Sequence, residues 1–387
     1  MTTAGAPVAA AVRARLEERA AEMAHLVGEL VSIESPSDDT PALLRMAARI
    51  ESLFAEFGDI RRHEIGPGGA PHLDLRVPKT RDGERYTLVL CHYDTVWPLG
   101  TLATMPFAID AAGVARGPGV LDMKGGIALL FFALQSLAAL GHVPRRPLRI
   151  LFTCDEETRS ETSRALIEEA ARDAEVALVL ESPLPGGVLK TARKGSATFR
   201  VEIAGLAAHA GVEPEKGVNA ISELAHQIPA IHAIADPSRG TTVNVGVVRG
   251  GTRSNVVPAA AEAEVDVRVS TLAEHERVDA AFRALAPKLA GARVTAKRRT
   301  QKPPMERTPQ IAALFERARA IAAGMGVALG EGATGGGSDG NLTAAAGVPT
   351  LDGLGPEGEG AHAAHEHVLV ASLPRRVALI AGLLAEV

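Results

Sequence analysis

The 387-residue sequence predicts an α/β fold interrupted by a smaller α+β domain. Three observations point that way. Short β-branched runs alternate with helix-periodic segments from residue 72 to residue 182. From residue 194 the order changes to strand, helix, strand, strand, helix, strand. The length also exceeds what one hydrophobic core usually serves, so two domains, or one domain with a large insertion, are expected.

Residues 10 to 58 carry leucines and alanines at three- and four-residue spacing, with a break at SIESPSDDTP, and read as helices. HLDLRV, YTLVLCH, LRILFTC and VALVLES then read as strands, and GGIALLFFALQSLAALG and SETSRALIEEAARDA as helices among them. Such alternation implies a sheet covered on both faces. In the next block ATFRVEIAG, TTVNVGVVRGG, AEAEVDVRVS and RVTAKRRTQ are strands, while NAISELAHQIPAIHAIA and EHERVDAAFRALAPKLAG are helices. Their order is that of a small open sheet with two helices on one face, a ferredoxin-like arrangement. After KPPM come the helix IAALFERARAIAAGMG, the Gly-rich GEGATGGGSDGNLT, the apolar VPTLDGLG, the histidine run GEGAHAAHEHV and an amphipathic helix from near Leu373. The α/β domain is therefore expected over residues 1–193 and 304–387, and the insertion over residues 194–303, within the usual size of a small domain.

A formal charge of −5 with both signs interspersed leaves no basic face for nucleic acid and no polybasic run for anionic lipid. The expected ligand is small. The N-terminus passes quickly into a charged helical pattern, without the architecture of a signal peptide. No uninterrupted apolar run approaches the roughly 20 residues that cross a bilayer, IALLFFALQSLAAL being the nearest. A soluble, cytoplasmic protein is expected, one that binds neither nucleic acid nor membrane. Cys91 and Cys154 each end an apolar run and read as buried thiols rather than as a disulfide or a metal-binding pair.

Ligand sites in open α/β sheets lie beyond the carboxyl ends of the strands. Here TLVLC ends in His92-Tyr93-Asp94, LRILFTC runs into Asp155-Glu156-Glu157, VALVL ends in Glu181, and GPGVLDMKGG places Asp122 just before a helix. Singly, these read as a chance HxD pair, a solvated Glu-Glu turn and a helix N-cap. Gathered on one rim, carboxylates raise one another's pKa, a cost that a cation relieves. A binuclear metal site needs terminal nitrogen or oxygen ligands, one carboxylate bridging ions about 3.5–4 Å apart, and an activated water. It also needs a carboxylate off the metals as general base. Glu156 and Glu157 suit that division, since neighbouring side chains leaving a strand point apart. Asp94, two positions after His92 and on the same face of an extended chain, is placed to hold the imidazole in one tautomer. His92, Asp122, Glu157 and Glu181 leave one metal without an imidazole, and the run His362, His365, His367 is the obvious source.

The segments HYDTV, GPGVLDMKGG, CDEE, LESP, AAHAGVEPEKGVNA, TVNVGVVRGGTRSNVVP, AEAEVDVR, TGGGSDGN, PTLDGLGP and GAHAAHEHV occur in order from about residue 88 to residue 368. Together they resemble the zinc aminoacylase/carboxypeptidase superfamily, most closely its carboxypeptidase G (glutamate carboxypeptidase) branch. The resemblance implies a zinc-peptidase-like catalytic domain with a mixed sheet and helices on both faces, and a ferredoxin-like lid that often forms a homodimer. It also implies two zinc ions, although the same ligands suit cobalt or manganese. By motif, His92 and Glu181 would bind one ion and Glu157 and His362 the other, with Asp122 bridging, Asp94 orienting His92 and Glu156 as general base. His209 matches the histidine that polarises the scissile carbonyl. Asn255 and Arg268 match positions holding substrate polar groups, and Thr334 and Gly337 lie in the segment lining the pocket. The competing reading of Arg268 is a solvated strand charge or a partner for Asp266, two positions earlier.

Lys302 stands where arginine is common in that branch, so a bidentate grip on a glutamate carboxylate would be lost. Lys190 and Lys194, near the domain joint, are the other candidates for that carboxylate. Within the histidine run only His362 matches the terminal ligand, and Glu366 reads as support for the local chain. The implied activity is hydrolysis of an amide bond next to a free carboxylate, in an N-acyl amino acid or peptide. The alternatives are an N-acyl-amino-acid deacylase or dipeptidase with the same metals, and a non-catalytic binding protein of the same fold.

Overall fold

Alternation along the central strands sorts their side chains onto two faces of a sheet. In Tyr86–His92, Val89 and Cys91 join the larger hydrophobic cluster, and Leu88 and Leu90 join a second one. Leu148–Thr153 divides in the same way, with Ile150 and Phe152 against Leu151, as does Ala174–Val179, with Leu178 against Ala177 and Val179. A strand buried on both sides has no polar face, which is why these runs are continuously apolar. The structure is a computed structural model that describes residues 4–77 and 85–387.

The six-stranded sheet runs in the order Asp59–Glu64, Pro71–Val77, Leu148–Thr153, Tyr86–His92, Ala174–Val179, Thr350–Leu351. The last four strands are parallel, and Pro71–Val77 is antiparallel to both of its neighbours, so the sheet is mixed. Helices Gly5–Leu16, Ala20–Val31, Thr40–Phe54, Gly125–Ala139, Pro309–Gly324 and Leu373–Glu386 fill the larger cluster. Arg164–Arg172 and Gly340–Ala345 supply the second through Ile167, Ala170, Ala171 and Leu342. Thr40–Phe54 starts where Asp39 accepts a hydrogen bond from the Ala42 N–H at 2.8 Å and Pro41 occupies the first turn.

By its contacts the chain falls into two units. One holds the described residues up to Ala192 together with Arg307–Thr334 and Ser338–Val387; the other holds Arg193–Glu306 and Gly335–Gly337. The second unit is an antiparallel sheet in the order Thr242–Gly250, Ala260–Val269, Gly195–Ala204, Arg293–Lys302, with helices Ala220–His232 and Leu272–Arg283. Its core includes Val201, Ile203, Leu224, Ile231, Val265 and Val267, and Phe199 stacks on Phe282 with ring centroids 3.9 Å apart. This is the ferredoxin-like order read from the sequence.

Two features differ from the sequence reading. Asp59–Glu64 is an edge strand whose side chains are largely exposed, so it carries no apolar alternation. The helical stretch Val120–Ala139 is 20 residues long and apolar enough by composition to cross a membrane, because an irregular turn at Val120–Lys124 extends the helix beyond its uninterrupted apolar run. In this fold 83% of its most apolar 18-residue window is buried, as a core helix is.

Candidate metal centre

Tyr86–His92, Leu148–Thr153 and Ala174–Val179 are adjacent and parallel, so their carboxyl ends open on one rim. His92 closes the middle strand with its side chain 2% exposed. Its Nδ1 lies 3.0 Å from the Asp94 carbonyl oxygen and 3.4 Å from Asp94 Oδ1. Its Nε2 lies 3.0 Å from Asp122 Oδ1 and 3.4 Å from Glu181 Oε1. Asp122 is not an N-cap: helix Gly125–Ala139 starts without a side-chain cap, and Asp122 has non-helical dihedrals. Its second oxygen, Oδ2, lies 3.1 Å from His362 Nε2, which is also 3.1 Å from Glu157 Oε1. Asp122 thus turns one oxygen to each of two imidazoles.

Local chain geometry explains why one histidine of the run reaches the rim. Gly358–Glu359 and His367–Leu369 pair antiparallel, and the loop between them turns through Gly360 at φ 84° and His362 at φ 63°. A left-handed His362 re-aims its side chain toward Asp122. His367 is committed to the strand, opposite Glu359 and Arg116, and its Nδ1 lies 2.9 Å from the His365 carbonyl.

Asp94 does more than the sequence revealed. Fully buried, it accepts hydrogen bonds from the Ser37 hydroxyl at 2.7 Å, the Glu157 N–H at 3.1 Å and the Glu156 N–H at 3.3 Å. One carboxylate therefore steadies His92 and both members of the acidic pair. Asp155 tightens the same turn from behind, accepting from the Thr162 N–H and hydroxyl at 2.6 and 2.7 Å and from the Ser163 N–H at 3.2 Å.

Burial opposes charge throughout this cluster, and the partners decide the outcome. His92 is buried, but Asp122, Asp94 and Glu181 outweigh the desolvation and hold its pKa well above the ordinary imidazole value. Burial likewise opposes ionisation of Asp122, yet His362 and His92 hold it below the usual carboxylate range. Glu157 is pushed up to about 7 by burial, against the pull of His362. Hydrogen bonds to Asp122 and Glu157 push His362 up to about 10. Acids crowded in this way call for positive charge at one spot, which protons supply here and a metal cation would supply instead.

The donor set fits such a cation. Ligand atoms about 2.0–2.1 Å from a tetrahedral zinc lie roughly 3.3 Å from one another, and the imidazole–carboxylate separations here run from 3.0 to 3.4 Å. His92, Asp122 and Glu157, and also His92, Glu156 and Glu181, offer ligand atoms within 4.8 Å of one another. Glu156 thus lies close enough to His92 and Glu181 to be counted among the groups that could hold an ion.

The other residues singled out from the sequence each sit within one of the two units. His209 and Asn255 belong to the second unit and are exposed there on adjoining segments, with His209 bridged to Val256 and the Ala210 N–H donating to the Asn255 carbonyl at 3.0 Å. Arg268 is half-buried on its strand, with Nε 3.0 Å from Asp266 Oδ2. Thr334 ends the strand Glu331–Thr334. The Gly337 carbonyl accepts from Arg193 at 2.9 Å, and the Gly336 carbonyl from the same nitrogen at 3.1 Å. Lys302 closes its strand and is buried, Lys190 is buried and backbone-bonded to Asp352, and Lys194 lies between two strands. Arg193, Ser37 and Trp97 carried no motif signal, since each acts through contacts distant in sequence.

Residues 88–386 match the model of the peptidase family M20/M25/M40. Carboxypeptidase G2 of Pseudomonas sp. (strain RS-16) is 34% identical over 368 residues, covering 92% of this chain and 87% of that protein. Acetylornithine deacetylase of Proteus mirabilis (strain HI4320) is 31% identical over 197 residues, 47% of this chain and 49% of that protein. Among solved structures, aminopeptidase PepT from Bacillus cereus ATCC 10987 superposes with a TM-score of 0.79 at 26% identity, over 96% of this chain and 98% of that one.

Proposed function

The chain belongs to the peptidase family M20/M25/M40, whose enzymes are metal-dependent hydrolases, and from that premise we propose that it cleaves an amide bond next to a free carboxylate, as a glutamate-type carboxypeptidase. The observation that supports a metal-dependent hydrolase is Asp122, whose two oxygens face His92 and His362 separately at 3.0 and 3.1 Å and would suit a carboxylate shared by two ions; the carboxypeptidase preference rests on the similarity to carboxypeptidase G2.

In this reading His92 and Glu181 would hold one zinc, Glu157 and His362 would hold the other, and Asp122 would serve both. When bound, the ions supply Lewis acidity and make a water nucleophilic near neutral pH. The chain's own groups do the rest. Glu156, close to His92 and Glu181, is assigned the proton work: it takes the proton of the attacking water and returns it to the departing amine. Asp94 keeps Glu156 and Glu157 on divergent courses by binding both of their N–H groups. His209 polarises the scissile carbonyl, Asn255 and Arg268 hold substrate polar groups, and Thr334 and Gly337 line the pocket. The second unit acts as a lid and as the homodimer contact, for which its edge strand Thr242–Gly250, with Val248 exposed, is suited. The two cysteines are free and buried, which fits a reducing, cytoplasmic setting.

Similarity to a carboxypeptidase and to a deacetylase makes the acyl preference the point to test. Zinc-loaded protein should release glutamate from N-acyl- and peptidyl-glutamates faster than it cleaves acetylated amino acids or plain dipeptides. A preference for the acetylated panel would replace this reading with a deacylase. Turnover of no amide at all would remove the enzymatic reading.

A further inference from the structure

Glu366 lies four residues beyond His362 and is fully buried. Its Oε1 accepts from the Leu121 N–H at 2.8 Å and the Asp122 N–H at 3.1 Å. Its Oε2 accepts from the Gly119 N–H at 3.0 Å and from the Trp97 indole at 2.7 Å. Three of these four donors belong to the turn that delivers Asp122. That turn is irregular, with Gly119 at φ 72° and Asp122 outside the helical region, so its N–H groups have no place in the helix that follows. Buried N–H groups demand acceptors, and here one carboxylate answers them together. The backbone of Glu366 is tied in turn to the His362 loop, its N–H donating to the Ala363 carbonyl at 2.8 Å.

We infer that Glu366 is the positioning residue of the metal centre: its carboxylate fixes the turn that aims Asp122 and clasps it to the loop that carries His362, with Trp97 as the fourth donor. The inference rests on the reading of Asp122 as the carboxylate shared by two ions. Glutamine cannot replace Glu366, because its NH2 group would face N–H donors in place of one oxygen. Aspartate keeps the charge but is one methylene too short to reach all four donors. Partners that hold metal ligands from outside typically contribute 10–100-fold to metal affinity. Trp97 is the only tryptophan in the chain, so its emission reports on this clasp alone.

The test compares the full-length protein with Glu366→Gln and Glu366→Asp, each confirmed as folded by circular dichroism. Zinc affinity is measured by chelator competition, Trp97 emission is followed as zinc is added to metal-free protein, and kcat and KM are measured at saturating zinc. Both variants should bind zinc about 10–100-fold more weakly, lose most of the kcat with little change in KM, and start from a shifted Trp97 emission. If glutamine prevents folding, the aspartate variant carries the test. Two ions in the unaltered protein, with wild-type zinc affinity and kcat in a folded variant, would overturn this inference and leave the function reading intact. Fewer than two ions in the unaltered protein would overturn both.

Discussion

Replacing Asp94 with asparagine separates two roles for this carboxylate: holding one imidazole, or organising the whole acidic rim. Asparagine keeps the shape but puts an NH2 group where one oxygen stood. If it replaces Oδ2, it opposes the Glu157 N–H, now 3.1 Å away, and meets the Ser37 hydroxyl at 2.7 Å. If it replaces Oδ1, it opposes the Glu156 N–H at 3.3 Å and weakens the contact to His92 Nδ1 at 3.4 Å. Asp94 itself is fully buried, so water does not replace its lost contacts. A hydrogen bond to a charged group contributes about 1.5–3 kcal/mol, and an opposed buried N–H costs about 1–3 kcal/mol, which puts the loss of stability at about 2.5–6 kcal/mol. Zinc affinity and turnover should each fall about 10–100-fold. Urea unfolding of the metal-free protein, chelator competition and turnover on an N-acyl glutamate would measure the three. An Asp94→Asn protein as stable as the wild type, with both metals tightly bound and kcat unchanged, would refute the role assigned to Asp94.

Other outcomes follow from the same geometry. His362→Ala should lose one of two zinc ions per chain by elemental analysis, while His365→Ala keeps both, because only His362 reaches Asp122 and Glu157; the reverse result would move the ligand. In the second unit, Glu274 is hydrogen-bonded by Arg277, Thr241 and Arg239, and the Arg277 contact above all holds its pKa down at about 2. A lowered folded pKa contributes stability above the unfolded value of about 4.3, lost as pH falls toward 2. Glu274→Gln should therefore lower stability at pH 7 and flatten its decline between about pH 4.5 and 2, as read by unfolding at a series of pH values.

The parts legible in the sequence are those where burial writes a pattern. The continuous apolar runs of the central strands exist because both faces are covered, and AEAEVDVRV alternates because one face of its sheet is wet. Acids and a histidine at the ends of those runs mark the rim, since the rim is where strands stop being apolar. Asp59–Glu64 is a largely exposed edge strand with Ile60, its only apolar side chain, on the core, and so left no apolar alternation. The two- and three-residue strands flanking His362 are too short to show a period. The hydrogen bonds that Asp94 accepts from Glu156 and Glu157, and that Glu366 accepts from the Asp122 turn, join positions 62 or more residues apart, and no local pattern encodes such contacts.

The central claim is that a shared metal centre activates the water while Glu156 alone moves the proton. Elemental analysis and turnover measured on one preparation of Glu156→Ala test it most directly. The account predicts two zinc ions per chain, as in the unaltered protein, with turnover lost. Retained turnover with both metals bound would contradict it.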